Sequence, residues 1–521
     1  AFQIASGVSN PLIRALVAWQ GALHHYMTAW TLAEELAAAE RGALLANIAR
    51  LYGILADVIR TLDAPAAGAR GFADGENAAA DYARAATEWV LKSAGDSGED
   101  ATLAAAHETL SQLAFRQGDF EACQAHCEVA LARYLQCGAL AGVESVYRTI
   151  GMAALGEARA AGEPTAGALR AKALQSLRCC RVLSDFLRGH VPPDRLGLSR
   201  AGFLSRRAYV NRRIAELFIE QGRAVDALDA IEAAKARSLQ DVLAAGAVLR
   251  PAAGLPPRPL GEILADWPAD VAALEYFLSD ERAWVFLVNT RGEVSAHLLS
   301  DEAGRPLASP GLVARIRSFL AGLDHQADAM RRRLADGAGF DHAWQDDLHK
   351  LYRELIPGDC VDKLREARTL LVVPHHILHY FPFAALVTNR DAAERAPDEM
   401  VKPRFLIDEP FNISHAPSLA AWDLLREKGS EPIRQVTAAG VARFQQAPPL
   451  PGVEKDLENL RTVFGDAATQ AAPAGEATET SAKALFARRG LLFLATHGKN
   501  FADQPLSSYL LFHPDGENDG F

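Results

Sequence analysis

Residues 250–259 read Arg-Pro-Ala-Ala-Gly-Leu-Pro-Pro-Arg-Pro, and the chain follows different rules on either side of them. Proline lacks the backbone N–H and clashes with the preceding helical turn, so no helix crosses this stretch. Before it, Ala, Leu, Arg and Glu dominate and apolar residues recur at helical spacing. After it, β-branched and apolar runs alternate with amphipathic segments. The 521 residues exceed what one core usually supports. The pattern predicts an all-α domain over residues 1–247, a proline-rich linker over 248–259 and an α/β domain over 260–521.

The helical half is clearest in Ala101–Gly138. Leu110, Leu113 and Phe115 belong to one helix, Gln117-Gly118-Asp119-Phe120 to a turn, and Ala122, Ala125, Ala130 and Leu131 to a second helix packed on the first. A related turn lies at Ile219-Glu220-Gln221-Gly222, and weaker glycine turns are expected at Gly75 and Gly162. With Gly118, Phe120 and Ala130 in matching places, these pairs resemble tetratricopeptide (TPR) repeats. Their turns are spaced more widely than the usual period of about 34 residues. Stacked pairs of this kind offer an extended surface to protein partners.

Beyond the linker, strands are expected at Val271–Leu278, Ala283–Asn289, Val294–Leu299, Thr369–Pro374, Asn412–His415, Gln435–Gly440 and Leu491–Ala495. Helices are expected at Leu312–Leu334, Asp341–Leu355, Leu419–Lys428, Val453–Phe464 and Ser481–Arg488. Strand-helix alternation implies a mostly parallel sheet flanked by helices.

Composition excludes several roles. The formal charge of −11 opposes a broad nucleic-acid or anionic-lipid surface. No apolar run is long enough to span a bilayer and no secretory signal is visible, so a cytoplasmic protein is expected. The six cysteines, Cys123, Cys127, Cys137, Cys179, Cys180 and Cys360, form no C-x-x-C pair and read as buried free thiols. Cys123, Cys127 and His126 lack a fourth zinc ligand at suitable spacing. Residues 337–340 show no phosphate-loop spacing. Neither a metal nor a cofactor is expected.

The run Leu491-Leu492-Phe493-Leu494-Ala495-Thr496-His497-Gly498 reads as a buried strand delivering a His-Gly pair at its carboxyl end, where α/β sheets gather ligands and catalytic groups. Other words stand in order before it. They are Ile231–Leu243, Leu371-Val372-Val373-Pro374, Phe381-Pro382-Phe383-Ala384-Ala385-Leu386, Ile413-Ser414-His415-Ala416-Pro417-Ser418 and Pro449-Leu450-Pro451-Gly452-Val453-Glu454. Ala477-Thr478-Glu479 leads into the His-Gly word, and Pro505-Leu506-Ser507-Ser508-Tyr509-Leu510 follows it. Together they resemble the CHAT family of caspase-like cysteine peptidases, often fused to TPR repeats, over about residues 258–521.

The resemblance implies a caspase-like α/β domain, with His497 as the catalytic histidine and Gly498 supplying an oxyanion-hole N–H. It implies an endopeptidase cleaving protein, of a kind used in bacterial defence or cell death, with the helical repeats binding a regulatory protein or peptide. The family's nucleophilic cysteine follows on the next strand, and no cysteine follows His497 here. It is therefore expected after Phe521. Cys360 precedes a helix-like run and is no strand-tip nucleophile. The competing reading is an inactive pseudo-peptidase scaffold that only binds partners. A serine hydrolase lacks its Gly-x-Ser-x-Gly elbow. Where the family usually has an Asp-Gly-like turn, this chain has His375-His376. With His379 and His415, these read as solvated loop histidines. Arg331-Arg332-Arg333 reads as a solvated helix face. Lys235 and Arg237 of the Ile231–Leu243 helix are placed to pair with acidic groups of the α/β half.

Overall fold

A computed structural model describes residues 27, 44–49, 51–52, 70–94, 100–190, 198–245, 258–335, 343–389, 403–427, 435–445, 447–465, 469–471, 476–486, 490–499, 508–516, 518 and 520. It divides into two compact units, Ala1–Leu424 and Leu425–Phe521.

The first unit opens with helices α1 (Arg70–Ala94), α2 (Asp100–Gln117), α3 (Phe120–Gln136), α4 (Leu140–Ala160), α5 (Thr165–His190), α6 (Leu198–Glu220) and α7 (Ala224–Ala245). No strand occurs among the described residues of this part. Helices α2 to α7 make antiparallel pairs. Gly118 and Gly222 turn within pairs at φ 73° and 71°, and Asp119 caps α3 by accepting the Ala122 N–H at 3.0 Å. Gly162 lies in the bend between α4 and α5. Gly75, expected at a turn, lies inside α1, and an unexpected turn falls at Gly138, φ 69°. Ala125 is exposed. The buried stripe of α3 is Cys123, Cys127, Ala130 and Tyr134, at helical spacing. Of the cysteines, Cys137 is exposed and Cys179 half-buried; the other four are buried and all six are free.

After the short α8 (Leu260–Ala265) come β1 (Val271–Leu278), β2 (Ala283–Val288) and β3 (Val294–Leu298). Helices α9 (Ser309–Ala335), α10 (Ala343–Leu355) and α11 (Gly358–Arg365) precede β4 (Thr369–Val373). Strands β5 (Val387–Asn389) and β6 (Arg404–Phe405) form a small ladder. Then follow β7 (Asn412–His415) and α12 (Leu419–Glu427). The main sheet runs β3-β2-β1-β4-β7: the first three strands form an antiparallel meander, and β1, β4 and β7 are parallel.

Every residue of β1 is buried, because both faces are covered. Val271, Ala273 and Phe277 share a core with Leu177 of α5, Ile214 of α6 and Leu228 of α7. The alternate residues Ala272, Leu274, Tyr276 and Leu278 pack with Leu312 of α9, Leu351 of α10 and Leu364 of α11. The helical pairs therefore supply the hydrophobic cover of one sheet face, and the stretch that reads as a linker joins two parts of one core.

Glu275 lies on β1 at 0% exposure, and its carboxylate meets the Lys235 Nζ of α7 at 2.8 Å. The expected pairing of Lys235 is thus met by a buried strand residue. Ile231 is buried as expected. The side chains of Arg237, Leu239, Val242, Leu243 and Arg331–Arg333 lie outside the described residues. Glu232, also buried, accepts the Leu419 and Ala420 N–H groups at 3.0 and 2.8 Å, at the N-terminus of α12.

The second unit holds β8 (Val436–Gly440), α13 (Val453–Phe464), β9 (Thr469–Ala471), α14 (Glu479–Phe486) and β10 (Leu491–Ala495). Its sheet, β10-β8-β9, is fully parallel. Ala439 and Val441 pack with Leu485 of α14, whereas Ala438 and Ala442 pack with Val453 and Leu457 of α13. Helices thus cover opposite faces. No described helix in either unit is long and apolar enough to cross a membrane.

Candidate active site

The site is built where β8 and β10 end together. Their parallel register pairs Leu491 with Val436 through to Ala495 with Gly440, and the Val441 N–H donates to the Ala495 carbonyl at 3.0 Å. Close packing of α13 on β8 depends on Gly440. A Cβ there would stand 2.4 Å from Val453 Cγ1, so α13 sits directly on the strand.

The two chains then diverge into loops. The β8 loop folds back through a Leu450 N–H bond to the Ala442 carbonyl, 2.8 Å, and carries Phe444 and Pro448. The β10 chain continues through Thr496 and His497 into β11 (Gly498–Lys499), which pairs antiparallel with β12 (Tyr509–Leu510). Thr496 Oγ1 donates to the Leu511 carbonyl, and the Leu511 N–H donates to the His497 carbonyl at 2.8 Å. The backbone of His497 is thereby fixed on both sides.

The half-buried imidazole lies against the Phe444 ring, centroids 4.8 Å apart and planes inclined by 53°. Its Nε2 stands 2.8 Å from the Pro448 carbonyl oxygen. A carbonyl can only accept, so Nε2 carries a proton, and in the neutral form of the ring the lone pair is then at Nδ1. The orienting group is a backbone carbonyl; among the described residues no carboxylate bonds the ring. Sequence reasoning singled out His497 at the strand end but did not anticipate Phe444 or Pro448 beside it. A carbonyl is common to every residue, and only the neighbouring Pro449–Glu454 word pointed to that loop.

Gly498 faces Leu510 in the ladder. The Leu511-to-His497 bond makes this a non-hydrogen-bonded pair, so the Gly498 N–H is directed away from β12. A side chain at 498 would place its Cβ 3.3 Å from Leu510 Cδ2.

Cys360 is not brought into a reactive setting. It lies in the first turn of α11 at 0% exposure, and burial, aided by Asp359, pushes its thiol up to about 12. The four loop histidines also separate. His376 and His379 are exposed as expected, as is His415 at the end of β7. His375 is not a solvated loop residue. Its Nδ1 accepts the Leu278 N–H at 3.1 Å, its ring packs on Phe277, and burial drives its pKa well below the ordinary histidine value, with Lys235 and Arg212 adding to the effect. His376 adopts φ 56°, the left-handed region that favours glycine, which explains why an Asp-Gly-like turn suits this position.

No curated protein matches the chain. The family match begins within α10, although β1–β3 before it belong to the same sheet as β4. Residues 345–521 match the CHAT domain, a caspase-like peptidase family, and the chain therefore carries a CHAT domain there.

Proposed function

We propose that this protein is a caspase-like cysteine endopeptidase of the CHAT type, regulated through its helical pairs. The observation that supports this most is the orientation of His497: Nε2 donates to the Pro448 carbonyl, which leaves Nδ1 as a base at the carboxyl edge of a parallel sheet. Nδ1 takes the proton of a cysteine thiol, the thiolate attacks the scissile carbonyl, and the imidazolium returns that proton to the leaving amine. The Gly498 N–H, directed away from β12, is the donor assigned to the tetrahedral oxyanion. Losing one such donor costs roughly 10²–10³ in rate. The family places that thiol on the strand after the His-Gly pair, and residues 498–521 contain no cysteine.

The partner reading rests on an apolar groove of about 720 Å³ on the helical pairs, lined by Leu135, Leu140, Val143, Tyr147, Leu174 and Val182. Leu135 and Val182 are 56% and 64% exposed, which suits a protein or peptide ligand.

The test uses full-length protein and a fluorogenic peptide library, with and without the partner. His497→Ala should abolish cleavage with the fold intact, and Phe444→Ala should lower kcat by loosening the ring. Cleavage by His497→Ala at the wild-type rate would remove His497 from the mechanism. Leu135→Asp with Val182→Asp should abolish partner binding; unchanged binding would refute the groove.

A further inference from the structure

Away from the His497 site, three different donor groups converge between the edge strand β3 and the first turn of α11. His297 Nδ1 stands 2.9 Å from Asp359 Oδ2, and one ring nitrogen of His297, one carboxylate oxygen of Asp359 and the Cys360 sulfur all lie within 4.8 Å of one another. We propose that His297, Asp359 and Cys360 form a binding site for a divalent transition-metal ion of the zinc type.

The donor set is one imidazole nitrogen, one carboxylate oxygen and one sulfur, the mixture that borderline cations such as Zn²⁺ take. Donors around tetrahedral zinc stand about 3.3–3.8 Å apart, given bonds of about 2.0–2.3 Å. The cluster therefore needs only small side-chain adjustments to close on an ion. Thiolate and carboxylate together neutralise the two positive charges, and water completes the fourth position.

A second observation points the same way. Ser295, two residues before His297 and on the same face of β3, holds His297 Nε2 at 2.8 Å. With a cation at Nδ1, Nε2–H donates to Ser295 Oγ, which holds the ring in the ligating tautomer. Metal-bound histidines are commonly oriented by such an outer partner, and losing it typically costs about 10–100-fold in affinity.

Access and rigidity also fit. Asp359 is 68% exposed and gives the ion a way in; His297 is 15% exposed and Cys360 is buried, so the inner donors are shielded from water. The donors sit on a strand and a helix, so a bound ion would pin the edge strand to α11.

The test is calorimetric titration of the metal-stripped full chain with Zn²⁺, alongside a Co²⁺ titration followed by absorbance. One Zn²⁺ per chain is expected, together with a Co²⁺–thiolate charge-transfer band in the near ultraviolet. Cys360→Ser should remove that band. His297→Gln and the exposed-side variant Asp359→Asn should each weaken Zn²⁺ binding at least tenfold, and Ser295→Ala about tenfold. Circular dichroism checks that each variant is folded. The proposal fails if the wild-type chain binds no Zn²⁺, which would leave an ordinary His–Asp hydrogen bond. It also fails if Asp359→Asn and His297→Gln bind as wild type does, or if the cobalt band survives Cys360→Ser and so belongs to another thiol.

Discussion

Lys235→Met tests the most exposed weakness in the first unit's core. Glu275 is fully buried on the central strand, and among the described residues its ion pair is to Lys235, whose side chain is 13% exposed. One carboxylate oxygen accepts from Nζ at 2.8 Å; the other, Oε2, is buried with no hydrogen-bond partner among the described residues. Glu232 adds a second buried carboxyl nearby. Burial and the Glu275 charge push its pKa well above the usual carboxylate range, against the opposing pull of Lys235. Removing Lys235 alone therefore strands a buried charge, and breaking a buried pair from one side costs about 3–5 kcal/mol. Replacing both partners with apolar residues of similar volume is often neutral or stabilising. Lys235→Met should lower stability by about 3–5 kcal/mol, whereas Lys235→Met with Glu275→Met should return to within about 1 kcal/mol of wild type. Urea unfolding followed by tryptophan fluorescence reads the difference, since Trp267 and Trp422 pack together against this core with centroids 5.3 Å apart. A single variant within about 0.5 kcal/mol of wild type, or a double variant no better than the single, would refute a buried and unscreened pair.

Two further outcomes follow from particular contacts. His375 titrates well below its ordinary value when folded, so the unfolded chain takes up a proton that the native ring refuses. Stability from this residue is present above about pH 6.5 and is lost as pH falls below it. His375→Asn should flatten that slope in urea titrations between about pH 5 and 7, and an unchanged slope would contradict the burial argument. Gly440→Ala should cost about 1–3 kcal/mol by driving a methyl group against Val453, and Gly440→Ala with Val453→Ala should regain part of it. Thermal unfolding that places Gly440→Ala level with wild type would show that α13 does not sit tightly on β8.

Local pattern determined much of this protein without tertiary information. β1 and β10 begin and end where their apolar runs do; β1, covered on both faces, is apolar at every position except Glu275, whereas β10 is only half-buried. Gly118 and Gly222 mark turns because left-handed backbone favours glycine there. His497 was legible from its place at a strand end. Where the signal was weak, packing decided. Gly75 was absorbed into a helix, and the short strands Val387–Asn389, Thr469–Ala471, Gly498–Lys499 and Tyr509–Leu510 carry too few residues to show a period. The proline-rich stretch stops a helix but says nothing about burial, so the shared core of the helical pairs and the sheet was settled only by which faces meet. The same holds for each functional grouping. Lys235 finds Glu275, His497 finds Pro448, and His297 finds Asp359 across separations of 40, 49 and 62 residues. Sequence periodicity records which way a side chain faces its own element; it does not record which distant element will face it, because that choice is made by the sum of apolar contacts over the whole fold.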